Sequence, residues 1–528
     1  MTRFVRIGLA LLAGAVAAFA HPPFGILPGL IGYPLLMLLA ERSGASAKDG
    51  MRGAFWMGWL AGFAYFFVSC WWVAEAFMVD PAQAWMAPFA ASLLPAGLGL
   101  FWACAAALYR RIAPPGLERI LVFVALFCVF EWLRGHVLTG FPWNPAGATW
   151  KAGSAGSQFA SVVGVYGLGV VTVLGATAFA PLLAWVADWS RDRTLRPDRP
   201  RIVATASGLL ILLALVAGGS IRLAQAEVTP TETLVRIVQA DVSQAAKWSP
   251  EAYQSIVDRY VTLTRQPSAA IPDVVVWPEG ALPASANQVF ADGAPEATAI
   301  SNALQPGQTL LIGLARAEPS ANEPDRYYNS LFALHDEGVA GVRIAAVYDK
   351  HRLVPFGEYM PLGQLMGALG IRKLVHMAED FSAGPRPSPI TLLNAPTVQP
   401  LICYESLYPG FTPGGATRPR WIVNVSNDAW FGVTSGPLQH LNLASYRAIE
   451  TGLPVVRATP TGVSAMIDPW GRVVPGQRLG SGEAGVIDAL LPEPTGATLY
   501  GRFGDIGFWL MILLCGMGGI SSVWRRRY

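Results

Sequence analysis

Apolar runs long enough to cross a bilayer dominate this sequence. A membrane-spanning helix needs roughly 20 mostly apolar residues. Eight stretches qualify, at residues 4–20, 24–41, 54–78, 86–109, 119–136, 159–187, 202–221 and 505–524. Lipid offers no hydrogen bonds to the backbone, so such runs predict helices, which satisfy their own peptide groups. Composition agrees: 53% of the 528 residues are hydrophobic and only 14% charged, where an average soluble domain carries about 25% charged residues. The net charge of +3 is small, and no basic run is interleaved with aromatics. Nucleic acid is therefore not an expected partner. The predicted organisation is a membrane domain with seven transmembrane helices over 1–222, an extramembrane domain of ordinary globular composition over 223–503, and an eighth transmembrane helix with a basic tail over 504–528.

Basic residues set the orientation, because loops rich in Lys and Arg stay in the cytoplasm. Arg3 and Arg6 precede the first run, and Arg42, Lys48 and Arg52 follow the second. Arg110, Arg111 and Arg119 follow the fourth, a cluster from Arg191 to Arg201 follows the sixth, and Arg525, Arg526 and Arg527 follow the last. The intervening loops hold almost none, apart from Arg134 and Lys151. This alternation puts both termini in the cytoplasm and the globular domain outside it. An alternative reading takes the first run, ending Ala18-Phe19-Ala20, as a signal peptide. Cleavage there would leave the rest of the topology unchanged. A transporter would place ionisable groups in mid-membrane, whereas Glu75 and Glu131 lie near the ends of their runs.

Within the globular stretch, residues 234–240, 273–277, 309–314, 342–348, 400–404 and 421–425 read as strands. Residues 250–265 and 437–451 read as helices, the second capped by Gly452. Strands alternating with helices predict an α/β domain with a mostly buried sheet.

Three segments end strands with a reactive side chain: Trp277-Pro-Glu279-Gly280, Tyr348-Asp-Lys350 and Ile402-Cys403-Tyr404-Glu405. Strand ends are where open α/β sheets gather function. Of the five cysteines, Cys70, Cys104, Cys128 and Cys515 lie in apolar runs and read as small buried hydrophobes. Cys403 is the one thiol of the globular stretch. A thiol becomes a useful nucleophile when a base takes its proton and a cation stabilises the charge. Glu279 fits the first role and Lys350 the second. Taken singly each residue has a duller reading: a strand Cys is ordinarily core, a Glu after Trp-Pro a solvated turn, and an Asp-Lys-His-Arg run surface charge. No Cys/His spacing suggests a metal.

Together the three segments resemble, in order, the signatures of the carbon–nitrogen hydrolase (nitrilase) superfamily, as do Asn424-Val-Ser-Asn427-Asp428-Ala-Trp430-Phe431-Gly432 and Arg447-Ala-Ile-Glu450-Thr-Gly. Glu131-Trp-Leu-Arg134-Gly, Thr139-Gly-Phe-Pro-Trp143-Asn144, Gln158 with Tyr166-Gly167, and Gln239 through Trp248 resemble the apolipoprotein N-acyltransferases, its membrane branch. That resemblance spans essentially the whole chain. It implies a nitrilase-like αββα sandwich and a Glu–Lys–Cys triad at Glu279, Lys350 and Cys403. It also implies a thioester acyl-enzyme, a phospholipid acyl donor (phosphatidylethanolamine being usual), and diacylglyceryl-modified apolipoproteins as acceptors, in a bacterial inner membrane. No metal or organic cofactor is implied. Glu358, Tyr404 and Glu405 match supporting positions, either orienting Lys350 or acting directly, and Trp248 packs against a lipid or in the core. A membrane-tethered nitrilase or amidase acting on a small nitrile or amide would share the triad.

Two features remain open at this level. Pro460, in Arg457-Ala-Thr-Pro460-Thr-Gly462, stands where the resemblance leads one to expect Asn, so no role is assigned to that loop. The segment 353–377 is unusually apolar for a loop and glycine-rich. It reads either as a helix on the core or as a lid dipping into the bilayer.

Overall fold

The computed structural model describes residues 2–44, 47–247, 249–320, 324–363 and 379–525. They form two compact units, one of Met1–Ala74, Pro88–Ala226 and Phe503–Tyr528, the other of Glu75–Ala87 and Glu227–Arg502.

The first unit is helical. Among the described residues, five helices are long and apolar enough to cross a membrane: Lys48–Phe77, Pro81–Ile112, Arg119–Thr139, Ala160–Trp189 and Arg199–Ala224. The remaining three expected runs form the helices Arg3–Phe19, Leu27–Glu41 and Ile506–Arg525. The second of these opens as a 3-10 turn over Leu27–Ile31. Outward-facing Leu209, Leu210 and Leu213 are exposed on the helix Arg199–Ala224, an apolar surface that a lipid solvent accommodates and water does not. This is a multi-pass membrane protein.

Small residues let these helices approach closely, as expected where lipid gives no hydrophobic drive between them. A Cβ added at Gly14 would stand 1.8 Å from the Ala61 carbonyl oxygen. Arg134 and Glu131 form a buried charged pair here. Arg134 meets Glu131 at 2.8 Å and donates to the carbonyls of Phe141 and Trp143, while Trp102 Nε1 donates to Glu131 at 2.9 Å. The pair is thus hydrogen-bonded on both sides, the condition under which buried charge is tolerated.

The second unit is an α/β sandwich. Its strands are β1 Pro230–Gln239, β2 Val274–Val276, β3 Thr309–Glu318, β4 Arg326–Asp336, β5 Val342–Asp349, β6 Val398–Ile402, β7 Trp421–Val425, β8 Val455–Ala458, β9 Ser464–Ile467, β10 Val473–Leu479 and β11 Gly485–Pro492. They make two mixed sheets, ordered β11-β1-β2-β3-β4-β5 and β10-β9-β8-β7-β6. Within them β1, β2 and β3 run parallel, as do β6, β7 and β8, and the outer strands are antiparallel.

Side chains alternate across each strand, and β2 shows the consequence. Val274 and Val276 join Val235, Ile237, Val423, Val425 and Met466 in the core between the sheets. Val275 points the other way, to Ile256, Tyr260 and Ile300 on the helices Tyr253–Thr264 and Pro295–Ala303. Ala448 of the helix Gly436–Thr451 covers the second sheet against Leu401, Ile422 and Val455. Both faces of each central strand are therefore covered, which is why these strands are unbroken apolar runs.

Every strand and helix read from the sequence is present within a few residues, and Gly452 ends its helix with φ +69. Strand β4 and the run β8 to β11 were not anticipated.

Candidate active site

The ends of β2, β5 and β6 bring the three reactive side chains together. Glu279 follows β2 by three residues, Lys350 follows β5 directly, and Cys403 follows β6 directly. The close approach of β3 under the first turn requires a residue without a side chain, because a Cβ at Gly313 would lie 2.6 Å from the Glu279 Cα. Cys403 opens a 3-10 turn with φ +49. Few side chains other than glycine adopt that conformation without strain, and strain of this kind concentrates at functional positions.

All three groups are buried, with Lys350 1% exposed, Glu279 8% and Cys403 9%. Lys350 Nζ sits 3.3 Å from Glu279 Oε1 and 2.9 Å from Glu358 Oε1. Asn329 on β4 bridges the same two oxygens, donating at 2.7 and 2.8 Å. Glu358 Oε2 accepts from the Val354 amide at 2.8 Å, which fixes its carboxylate. Glu279 Oε1 is thus occupied twice. Its Oε2 is buried with no hydrogen-bond partner of normal geometry among the described residues, and the Cys403 thiol is close enough to act on this carboxylate as a donor.

Electrostatics assign the resting charges. Burial pushes Glu279 up, but the Lys350 ammonium, Asn329 and Cys403 outweigh it and hold the carboxyl below its ordinary 4.5. Burial pushes Lys350 down, and Glu279 with Glu358 more than reverse this, so it stays an ammonium. Burial and the neighbouring Glu279 charge push the Cys403 thiol up to about 12, against the opposing pull of Lys350. The nucleophile therefore rests as a thiol beside an ionised base. Its proton moves only as attack develops negative charge near Lys350.

Glu405 braces the site. Its buried carboxylate accepts from the Ile402 amide at 2.7 Å, the His351 amide at 2.8 Å and the Tyr348 hydroxyl at 2.8 Å. It therefore ties the end of β6, beside Cys403, to the end of β5, beside Lys350. Burial pushes Glu405 up to about 7, despite those donors. Tyr404 is buried with its ring 5.2 Å from that of Tyr408. Trp248 lies outside the described residues, as does 364–377, most of the apolar segment.

The structure adds groups that sequence reasoning missed. Asn329 lies on the unanticipated β4, and no motif pointed to it. Asp428 lay inside a matched motif without a role. It meets His440 Nδ1 at 2.9 Å and Arg457 at 2.6 Å, and it accepts from Ser426 at 2.9 Å. Ser406 hydrogen-bonds the Cys403 carbonyl at 2.9 Å and lies 3.1 Å from His440 Nε2. This network holds the strained Cys403 backbone from behind. Pro460 is accommodated because only its carbonyl is needed, accepting from the Val242 amide at 3.2 Å. Among the described residues, no group of three His, Cys, Asp or Glu side chains is arranged to hold a metal.

Comparison with known proteins covers both units. Residues 13–178 match the apolipoprotein N-acyltransferase N-terminal domain, and residues 234–498 match the carbon-nitrogen hydrolase family. An apolipoprotein N-acyltransferase of Caulobacter vibrioides is 50% identical over 511 residues, covering 96% of this chain and 93% of the relative. One from Rhodopseudomonas palustris is 38% identical over 96% of this chain and 94% of its own length. One from Brucella melitensis is 38% identical over 92% and 89%.

Proposed function

The chain belongs to the apolipoprotein N-acyltransferase family, and on that premise we propose that Cys403, Glu279 and Lys350 carry an acyl chain from a phospholipid to a lipoprotein amine. The observation that supports the assignment most is the convergence of these three side chains, from three strand ends, into one buried charge network.

The thiol of Cys403 attacks the ester carbonyl of a glycerophospholipid, the sn-1 ester of phosphatidylethanolamine being the proposed donor. Its proton passes to the free Oε2 of Glu279. Negative charge on the carbonyl oxygen is met by Lys350, a fixed ammonium that needs no reorganisation. The tetrahedral intermediate collapses to a thioester, and the departing glycerol oxygen takes the proton from Glu279 and leaves as lysophospholipid. The α-amine of the diacylglyceryl-cysteine of an apolipoprotein then attacks the thioester. Glu279 removes the amine proton and returns it to the departing Cys403 sulfur. One difficult transfer becomes two easier ones, and Glu279 serves as base and acid in each half. Glu358 and Asn329 position Lys350 and Glu279, and Glu405 fixes the spacing between Lys350 and Cys403. Tyr404, next to the nucleophile and packed on Tyr408, supports the site, and Trp248 is assigned to the acyl-chain path.

The membrane arrangement is part of the proposal. Eight spans, with both termini in the cytoplasm, place a 223–503 catalytic domain on the periplasmic side of the bacterial inner membrane. Residues 1–222 supply seven of the spans and 504–528 the eighth. Lipid substrates and a thioester that must not meet water both favour a site served from the bilayer. The test is transfer itself. Purified protein given labelled phosphatidylethanolamine and a diacylglyceryl-cysteine lipopeptide should yield the N-acylated peptide by mass spectrometry. Release of free fatty acid without peptide acylation would contradict the reading.

A further inference from the structure

Lys247 has no part in the mechanism above. It closes the short helix Gln244–Lys247, and its ammonium lies against the turn that carries the catalytic carboxylate. A Cβ added to Gly280 would stand 2.5 Å from Lys247 Nζ. Gly280, at φ +54, therefore serves twice, allowing the turn and leaving room for this cation. The Glu279 charge is felt at Lys247. Yet among the described residues the Lys247 ammonium has no hydrogen bond and no ion pair. The contrast with Lys350 is plain, since that ammonium is held by two carboxylates.

An ammonium offers three donors, and Lys247 is partly withdrawn from water without a partner to fill them, which is unfavourable. Burial pushes Lys247 down to about 8, partly offset by Glu279. The Glu279 oxygen nearest to other donors already holds Asn329 and Lys350. An anion brought in by a substrate is the partner this cation lacks.

We infer that Lys247 is the anion-binding residue of the donor subsite, holding the phosphodiester of a glycerophospholipid while its ester carbonyl lies at Cys403. The inference rests on the thioester reading given above. In such a lipid only the glycerol carbons separate the sn-1 ester oxygen from the phosphodiester. A cation beside the catalytic carboxylate is therefore within span of the phosphate of a lipid whose ester is being attacked. The acceptor amine carries no phosphate, so the contact belongs to the first half-reaction. Arg preserves the charge and still donates to a phosphate oxygen, through a planar fork in place of the ammonium, whereas Met keeps only an uncharged stem.

The test compares two acyl donors on the full chain in detergent micelles and phosphate-free buffer. Single-turnover acylation of Cys403 is followed with subsaturating phosphatidylethanolamine and with p-nitrophenyl octanoate, an ester without phosphate. Lys247→Met should slow acylation by the phospholipid about ten-fold or more, the scale of one lost charge-assisted hydrogen bond. Lys247→Arg should recover most of it. Acylation by the nitrophenyl ester should stay within roughly two-fold of wild type for both variants, since it makes no use of the lost contact. Equal loss with both donors would overturn the inference and make Lys247 a partner of Glu279 alone. An unchanged phospholipid rate in Lys247→Met would overturn it as well. A wild-type protein acylated by neither donor would instead refute the thioester reading beneath it.

Discussion

Replacing Lys350 by Met keeps the stem of the side chain and removes its charge. Wild-type Nζ lies 3.3 Å from Glu279 and 2.9 Å from Glu358, with 1% of the residue exposed. At an effective dielectric of about 20, each contact is worth on the order of 5 kcal/mol before desolvation is counted. Removing one partner of such a pair leaves buried charge uncompensated, at a cost of roughly 3–5 kcal/mol in stability. The chemical loss is separate. One missing oxyanion donor corresponds to roughly 10²–10³ in rate. The base suffers too, because Lys350 is the largest influence holding Glu279 below 4.5. Without it, burial raises the Glu279 pKa, so more of the base is protonated at neutral pH. The residual acylation rate of Lys350→Met should then climb with pH through the new Glu279 pKa, where the wild-type rate gives no such rise. Adding Glu358→Gln removes one of the two stranded carboxylates. The double variant should regain part of the lost melting temperature and none of the lost rate. Stopped-flow acylation across pH, with melting curves on the same samples, measures both. A Lys350→Met protein acylating within ten-fold of wild type would refute the assigned role.

Two further outcomes follow from other parts of the structure. Asp428→Asn strands the buried Arg457 and should lower stability by roughly 3–5 kcal/mol. In wild type, Arg457 and His440 outweigh burial and hold Asp428 down at about 2, below its ordinary 3.8. A depressed carboxyl contributes stability above the unfolded pKa and loses it as pH falls through the folded one. Chemical denaturation should therefore show wild type weakening between about pH 4 and 2, with the variant lacking that component; equal pH dependence in both would contradict it. For orientation, Leu195→Cys and Ser320→Cys, each in a background without native thiols, should react oppositely with an impermeant thiol reagent on intact spheroplasts. Label on Ser320→Cys alone supports the periplasmic placement, and label on Leu195→Cys alone inverts it.

Much of the site was legible because its chemistry lies in short contiguous segments at strand ends. Trp277 to Gly280, Tyr348 to Lys350 and Ile402 to Glu405 each combine an apolar strand with an ionisable or nucleophilic residue. The strands themselves were legible where both faces are buried, as in Val274–Val276 and Trp421–Val425, since such runs are unbroken. Strand β4 escaped because Arg326, Asn329, His335 and Asp336 interrupt its apolar pattern, although Leu331 and Ala333 face the inter-sheet core. Asn329 was lost with it. Its role comes from register on β4, which places it opposite Ala315 of β3, and no local pattern encodes that. Lys247 and Asp428 lay inside matched segments without a role for a similar reason: each gains meaning from a distant partner, Gly280 in one case and Arg457 in the other. In the membrane unit hydropathy located the helices. It did not indicate that Glu131 and Arg134 neutralise each other inside it.

The central claim is that acyl transfer passes through the sulfur of Cys403. Purified full-length protein should be incubated with phosphatidylethanolamine labelled in the sn-1 chain, quenched before acceptor is added, and digested for mass spectrometry. An acyl group on the peptide containing Cys403, removed by neutral hydroxylamine and absent from a folded Cys403→Ala variant, is the predicted result. Transfer to lipopeptide at the wild-type rate by Cys403→Ala would contradict it.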